Sequence, residues 1–300
     1  MRKLLFSFCA LAVLCAAGGI YMAEIATHVY DALRWLPPRS VAEAVAAQGG
    51  AELTDAQIAA GDGSRLRSWV YSPSHANGTA VLALHGVGGH RGHMLGYAGL
   101  LARHGFTVIT PDSRGHGSSD GGVFTYGVVE TADISRWIDF ALTRPGVNRV
   151  AGLGESMGAA ILLQTLPRDR RLRAVVAEAP FARFDEIAKG RMEQRASLLA
   201  IPVLEPGFLY FRLRYGFDLR AASPIDALRS AMSHPEPPRV MLIHSPGDRN
   251  IPVWHSHRLR DVAPSKIEFW EPANVAHTQA LGTLPDEFER RVTSFLKALP

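Results

Sequence analysis

The chain has 300 residues, 47 % of them hydrophobic, with 32 basic against 28 acidic side chains and a formal net charge of +4. That length and composition suit one domain of about 250 residues with a single substantial core, plus an extension. Both cysteines, Cys9 and Cys15, lie near the N-terminus, which excludes a disulfide or a cysteine zinc site in the remainder of the chain.

Arg2 and Lys3 precede Leu4–Ala23, a run without a charge. About twenty helical residues span the ~30 Å of a bilayer's hydrocarbon core. Positive charge ahead of the run favours a cytoplasmic N-terminus. The expectation is that residues 1–23 form a membrane anchor with the following domain on the non-cytoplasmic side. The alternative is a signal peptide cut after Cys15-Ala16-Ala17, which would leave a secreted or periplasmic protein. Residues 24–50 read as a helical linker broken at Pro37-Pro38, and 51–300 as the main domain. No group with candidate chemistry precedes residue 87, so removal of residues 1–23 is expected to leave any activity in place.

Ala51–Ala60 and Arg65–Tyr71 form a hairpin pattern joined through Gly61-Asp62-Gly63. From Thr79 onward strands and helices alternate, the signature of a mainly parallel sheet with helices on both faces. Thr79–Leu84 is a strand that ends in His85-Gly86-Val87-Gly88-Gly89. Ile134, Trp137, Ile138, Ala141 and Leu142 share one face of a helix. Arg168, Arg170, Arg171 and Arg173 are read as a solvated basic face, not a nucleic-acid site. Attraction to anionic lipid head groups fits the same residues.

Residues 149–153 form a short apolar strand and 159–166 an unbroken apolar helix. Between them stands Gly154-Glu155-Ser156-Met157-Gly158, a G-x-S-x-G pattern. A serine in that position sits on a sharp strand-to-helix turn with its hydroxyl exposed at the top of the sheet. It needs a base and a carboxylate to orient the base. Arg239–His244 is a strand pattern leading into Ser245-Pro-Gly-Asp248, and Lys266–Glu271 another, followed by a loop with His277. Ser156, Asp248 and His277 thus come in the order nucleophile, acid, base, each just past a strand. Glu178, at the end of the strand 174–177, is a rival acid. The backbone N–H groups of Val87 and Met157 are the expected oxyanion donors. Residues 181–238 interrupt the alternation and read as a small cap after the sixth strand, with Leu198–Leu204 and Pro206–Phe211 as its apolar stretches. Phe288, Val292, Phe295, Leu296 and Leu299 mark the buried face of a last helix.

Together with Asp112-Ser-Arg114-Gly115-His116-Gly117-Ser118, these pieces resemble the α/β-hydrolase superfamily over about residues 50 to 300. They look most like the serine-aminopeptidase-like and Bem46-like hydrolases, whose members include esterases, acylglycerol lipases and thioesterases. The resemblance implies the α/β-hydrolase fold and a structural role for Asp112 and His116. It implies a serine hydrolase of carboxylic esters or thioesters working through Ser156, His277 and Asp248, on a small-molecule acyl substrate and with no metal or organic cofactor. The alternatives are a peptidase or acyltransferase using the same residues, or a non-catalytic membrane-tethered binding protein.

Overall fold

A computed structural model describes residues 2–29, 35–196 and 202–299. Its centre is an eight-stranded open sheet in the order β1-β2-β4-β3-β5-β6-β7-β8. The strands are β1 (Ala51–Ala59), β2 (Arg65–Pro73), β3 (Thr79–Leu84), β4 (Thr107–Pro111), β5 (Arg149–Glu155), β6 (Leu172–Glu178), β7 (Arg239–Ile243) and β8 (Ile267–Trp270). The hairpin pairs β1 with β2, and β2 with β4, antiparallel. All later pairings are parallel.

The central strands are apolar on both faces, because helices cover both sides. Leu82, Ile109, Val175 and Leu242 point into one core. Val81, Val108, Val176 and Met241 point into the other. The first core is covered by α4 (Glu130–Leu142), α5 (Met157–Thr165) and α8 (Pro224–Met232). The second lies under α2 (Arg39–Gln48), α3 (Leu95–Arg103) and α11 (Pro285–Lys297). Every residue of α5 is buried, so its apolar run is that of a helix enclosed on all sides rather than of an amphipathic one. Helix α11 buries Phe288, Val292, Phe295 and Leu296, the face its spacing predicts.

The expected cap falls between β6 and β7. It holds α6 (Phe184–Ala196), α7 (Leu204–Tyr215) and α8. Phe208 and Phe211 of α7 are buried in the core, while Leu209 is exposed. Residues 198–201 of the apolar stretch at 198–204 lie outside the described residues, as do residues 30–34 of the linker. Two short helices, α9 (Trp254–Arg260) and α10 (Ala280–Thr283), complete the list beyond β7.

Helix α1 (Arg2–Thr27) crosses residue 23 without a break. Gly19, Ala23 and Thr27 are buried, one turn apart on a single stripe, whereas residues 9–14 are exposed. The helix is therefore exposed over residues 9–14 and docked at its end. Tyr126 donates its hydroxyl to the Ala26 carbonyl at 2.6 Å, and the Phe124 amide donates to the Thr27 carbonyl at 3.1 Å.

Candidate active site

Ser156 sits between β5 and α5 with φ 52° and ψ −114°. This left-handed conformation is costly for a residue with a Cβ. It is held from both sides: the Ser156 amide donates to the Glu178 carbonyl at 2.8 Å, and the Ser156 carbonyl accepts from the Ala160 amide at 3.1 Å. The flanking glycines are required by close approach. A Cβ on Gly158 would lie 2.3 Å from the Leu84 carbonyl oxygen, and one on Gly154 would lie 2.6 Å from the Ala159 nitrogen. The turn can form only where both side chains are missing.

The parallel strands end on one edge, and the loops beyond β5, β7 and β8 meet there. Ser156 Oγ lies 3.0 Å from His277 Nε2, and His277 Nδ1 lies 2.6 Å from Asp248 Oδ2. A carboxylate only accepts, so Nδ1 carries the proton and Nε2 is free to accept from the serine hydroxyl. The fold thus brings together Ser156, Asp248 and His277, which are 92 and 29 residues apart in sequence. Ser245 fastens two of the loops to each other: its Oγ accepts from the Gly247 and Val275 amides, both at 3.0 Å.

Asp248 is buried, which alone would raise its pKa. Its hydrogen bonds from His244 and His277 outweigh the burial and hold its carboxyl well below the usual range. Oδ1 also accepts from the Asn250 and Ile251 amides, at 2.8 and 3.0 Å. His244 Nε2 lies 3.2 Å from Oδ2. The carboxylate stays ionised and fixed in direction.

Glu178 is directed elsewhere. Its Oε2 accepts from the Tyr97 hydroxyl at 3.0 Å and its Oε1 from the Ala280 amide at 2.9 Å. It stands opposite Glu155 in the register of β5 and β6. Burial, reinforced by the neighbouring Glu178, pushes the Glu155 carboxyl up to about 7. Burial also raises Glu178. The two carboxyls and Tyr97 form a buried acid cluster behind Ser156.

The loop after β3 is held by its own donors. The Gly86 amide donates to Glu155 Oε1 at 3.2 Å and the Gly88 amide to His116 Nε2 at 3.2 Å. The Gly89 amide donates to the Gly86 carbonyl at 3.1 Å. Among the described residues no partner takes the Val87 amide, and Val87 itself is 38 % exposed. Met157 opens α5, so its amide is one of the first-turn donors that a helix leaves unused. Behind them stand the residues of the 112–118 segment. Asp112 accepts from the Arg91 and Ser118 amides at 2.7 and 2.8 Å. His85 accepts from the Ser113 amide through Nε2 and donates through Nδ1 to the Gly86 carbonyl; burial lowers its pKa to about 4, so it is neutral.

The comparisons with known proteins bear on this arrangement. A family model described as serine aminopeptidase, S33, matches residues 75–207. The protein YqkD of Bacillus subtilis (strain 168) is 28 % identical over 225 residues, which cover 74 % of this chain and 72 % of that protein. The Pyrococcus furiosus esterase Pf2001 superposes with a TM-score of 0.68 at 22 % identity, over 90 % of this chain and 96 % of its own. This structural likeness shows that the chain has the α/β-hydrolase fold. A further likeness of fold, to the Pyrococcus horikoshii acylaminoacyl peptidase, has a TM-score of 0.63 at 17 % identity and covers 83 % of this chain and 41 % of that one.

Within this fold, three groups near the site escape a reading of the sequence: Tyr97, Glu155 and His244. Tyr97 lies on a helix with no motif, and only the packing of α3 on the sheet brings it to Glu178. Glu155 is the variable position of G-x-S-x-G. His244 ends an ordinary strand. A charged residue inside an otherwise apolar strand end, repeated at Glu155 and Glu178, is the one signal that could have flagged the pair.

Proposed function

We propose that the protein is a serine hydrolase that cleaves carboxylic esters or thioesters through an acyl-enzyme intermediate. The observation that carries the reading is the continuous hydrogen-bond relay from Ser156 through His277 to Asp248, at 3.0 and 2.6 Å. Ser156 Oγ attacks the acyl carbon while His277 Nε2 takes its proton. Asp248 holds the Nδ1–H tautomer and stabilises the imidazolium that forms. The amides of Val87 and Met157 receive the oxyanion. The bond from the acyl carbon to the alcohol or thiol then breaks, and His277 returns the proton to the leaving group. Water attacks the acyl-serine with His277 again as base, releasing the acid and restoring Ser156. The chemistry draws only on these side chains, two amides and water.

The test is labelling with a fluorophosphonate probe alongside a panel of p-nitrophenyl esters of rising chain length. Labelling and turnover in the parent, and neither in Ser156→Ala, support the reading. An unlabelled parent points instead to a membrane-tethered binding protein. A second reading, a peptidase with the same residues, is favoured by the family description and by the likeness to an acylaminoacyl peptidase. Aminoacyl anilides run beside the esters discriminate the two.

For the N-terminal part, we read α1 as a membrane anchor that leaves the domain from residue 51 onward on the non-cytoplasmic side. Its segment Cys9–Thr27 has a mean hydropathy of 1.8, and Arg2 and Lys3 precede it.

A further inference from the structure

The docked end of α1 lies along the cap helix α7, and the two run in the same direction. A Cβ on Gly18 would touch Val203, ahead of α7, at 3.3 Å. A Cβ on Gly19 would lie 2.6 Å from the Gly207 nitrogen, and one on Gly207 would lie 2.8 Å from the Gly19 carbonyl oxygen. The backbones therefore meet at a small-residue crossing of the kind that packs helices inside membranes. One and a half turns later Glu24 accepts hydrogen bonds from the Tyr210 and Tyr215 hydroxyls, at 2.7 and 2.9 Å.

This pairing fixes α7 in depth. The charge-free run ends at Ala23. If the run occupies the hydrocarbon layer, Gly18 and Gly19 lie only about 6 to 8 Å inside its outer edge, at ~1.5 Å per residue. The start of α7 is packed against them and must lie at the same level. The composition of α7 follows this gradient. Pro206 and Leu209 stand at the level of the glycine crossing. Tyr210, Tyr215, Arg212 and Arg214 stand at the level of Glu24, the tyrosine-and-arginine pattern of a membrane interface. Leu209 is 47 % exposed and Leu213 is 76 % exposed, one turn apart on the outer face of the helix. Glu205, the one acid of α7, is neutralised by Arg220 at 3.1 Å.

We infer that the exposed Leu209–Leu213 face of α7 is seated in the lipid interface beside α1, so that the cap is the surface the protein turns to the bilayer. The inference rests on the anchor reading of α1. It makes α1 more than a tether, because a flexible tether would leave the orientation of the cap undetermined.

The experiment uses the full chain in vesicles of phosphatidylcholine with a minor fraction of phosphatidylglycerol. The domain has no cysteine of its own, so single thiol labels are clean. Leu209→Cys and Leu213→Cys, in a Cys9→Ser, Cys15→Ser background, are each labelled with an environment-sensitive fluorophore. Cys15 alone reports on the anchor, and Ser265→Cys, in the exposed turn before β8, is the aqueous control. A spin-labelled lipid should quench the labels at 209, 213 and 15 several-fold more than the label at 265, and iodide should do the reverse. Quenching by lipid at Cys15 but not at 209 or 213 overturns the seated cap and keeps the anchor. Quenching by lipid at none of the three overturns both. Labels at 209 and 213 shielded from lipid and from iodide alike would place a second protein surface there, and also overturn the proposal. Retained turnover of a p-nitrophenyl ester shows that the labelled variants are folded.

Discussion

Tyr97 donates its hydroxyl to Glu178 at 3.0 Å, and this bond turns the Glu178 carboxylate away from His277. The orienting position is taken by Asp248, 2.6 Å from His277 Nδ1. Asp248→Asn is therefore expected to lower kcat by about 10⁴-fold, the loss typical of the wrong imidazole tautomer. Glu178→Gln should cost far less, since it leaves the relay intact. Steady-state kinetics of the two variants decide the matter, and a larger loss in Glu178→Gln would transfer the acid role to that residue.

Ser156→Ala removes the proposed nucleophile and almost no packing. Turnover of p-nitrophenyl esters should fall on the order of 10⁴- to 10⁶-fold. The thermal midpoint should hold or rise, because the hydroxyl makes a single side-chain bond, to His277. Near-parent turnover would sink the serine-hydrolase reading.

Glu155 gives the fold a pH dependence of its own. Its pKa in the folded protein is raised to about 7 from an ordinary 4.5, by burial and by the adjacent Glu178. A carboxyl raised on folding stabilises while it is protonated, so its contribution is complete below about pH 4.5 and is lost as pH rises to about 7. Glu155→Gln keeps an acceptor for the Gly86 amide without the charge. Denaturation midpoints measured from pH 5 to 8 should show a shallower decline in the variant, with its greatest advantage over the parent above pH 7. Parallel curves would mean that Glu155 does not titrate in this window.

Truncation separates the free part of α1 from its docked part. Removing residues 1–17 leaves Gly19, Ala23 and Thr27 in place, and esterase activity should persist. Removing 1–27 strips the carbonyls that bond Tyr126 and Phe124. Phe124 packs against His116 with tilted rings, their centroids 4.6 Å apart, and His116 holds the Gly88 amide of the loop after β3. At about 1 kcal/mol for each hydrogen bond, plus the lost packing, the longer truncation should lower Tm by about 4 to 10 °C relative to the shorter. It should also reduce kcat. Identical Tm and kcat in the two truncations would show that the end of α1 contributes nothing to the site.

What the sequence by itself determined is everything governed by local pattern. The alternation from Thr79 onward specifies a parallel sheet, because apolar runs of strand length followed by helical ones have few other ways to bury themselves. Gly154 and Gly158 around Ser156 specify the sharp turn, because the approach of Leu84 and Ala159 leaves no room for a Cβ. The order of Ser156, Asp248 and His277, each after a strand, put all three on one edge of the sheet. The tertiary structure decided what depends on direction and on distant neighbours. Asp248 and Glu178 both follow strands and both are acids, and nothing local distinguishes them. Tyr97 and the Ala280 amide on one side, and His244 and His277 on the other, set their orientations. The same holds for the N-terminal helix. Its composition marks an apolar segment ending at Ala23, but helix propensity does not stop where charge begins. Only the packing of Gly19 on Gly207, and of Glu24 against two tyrosines of the cap, joins that helix to the domain.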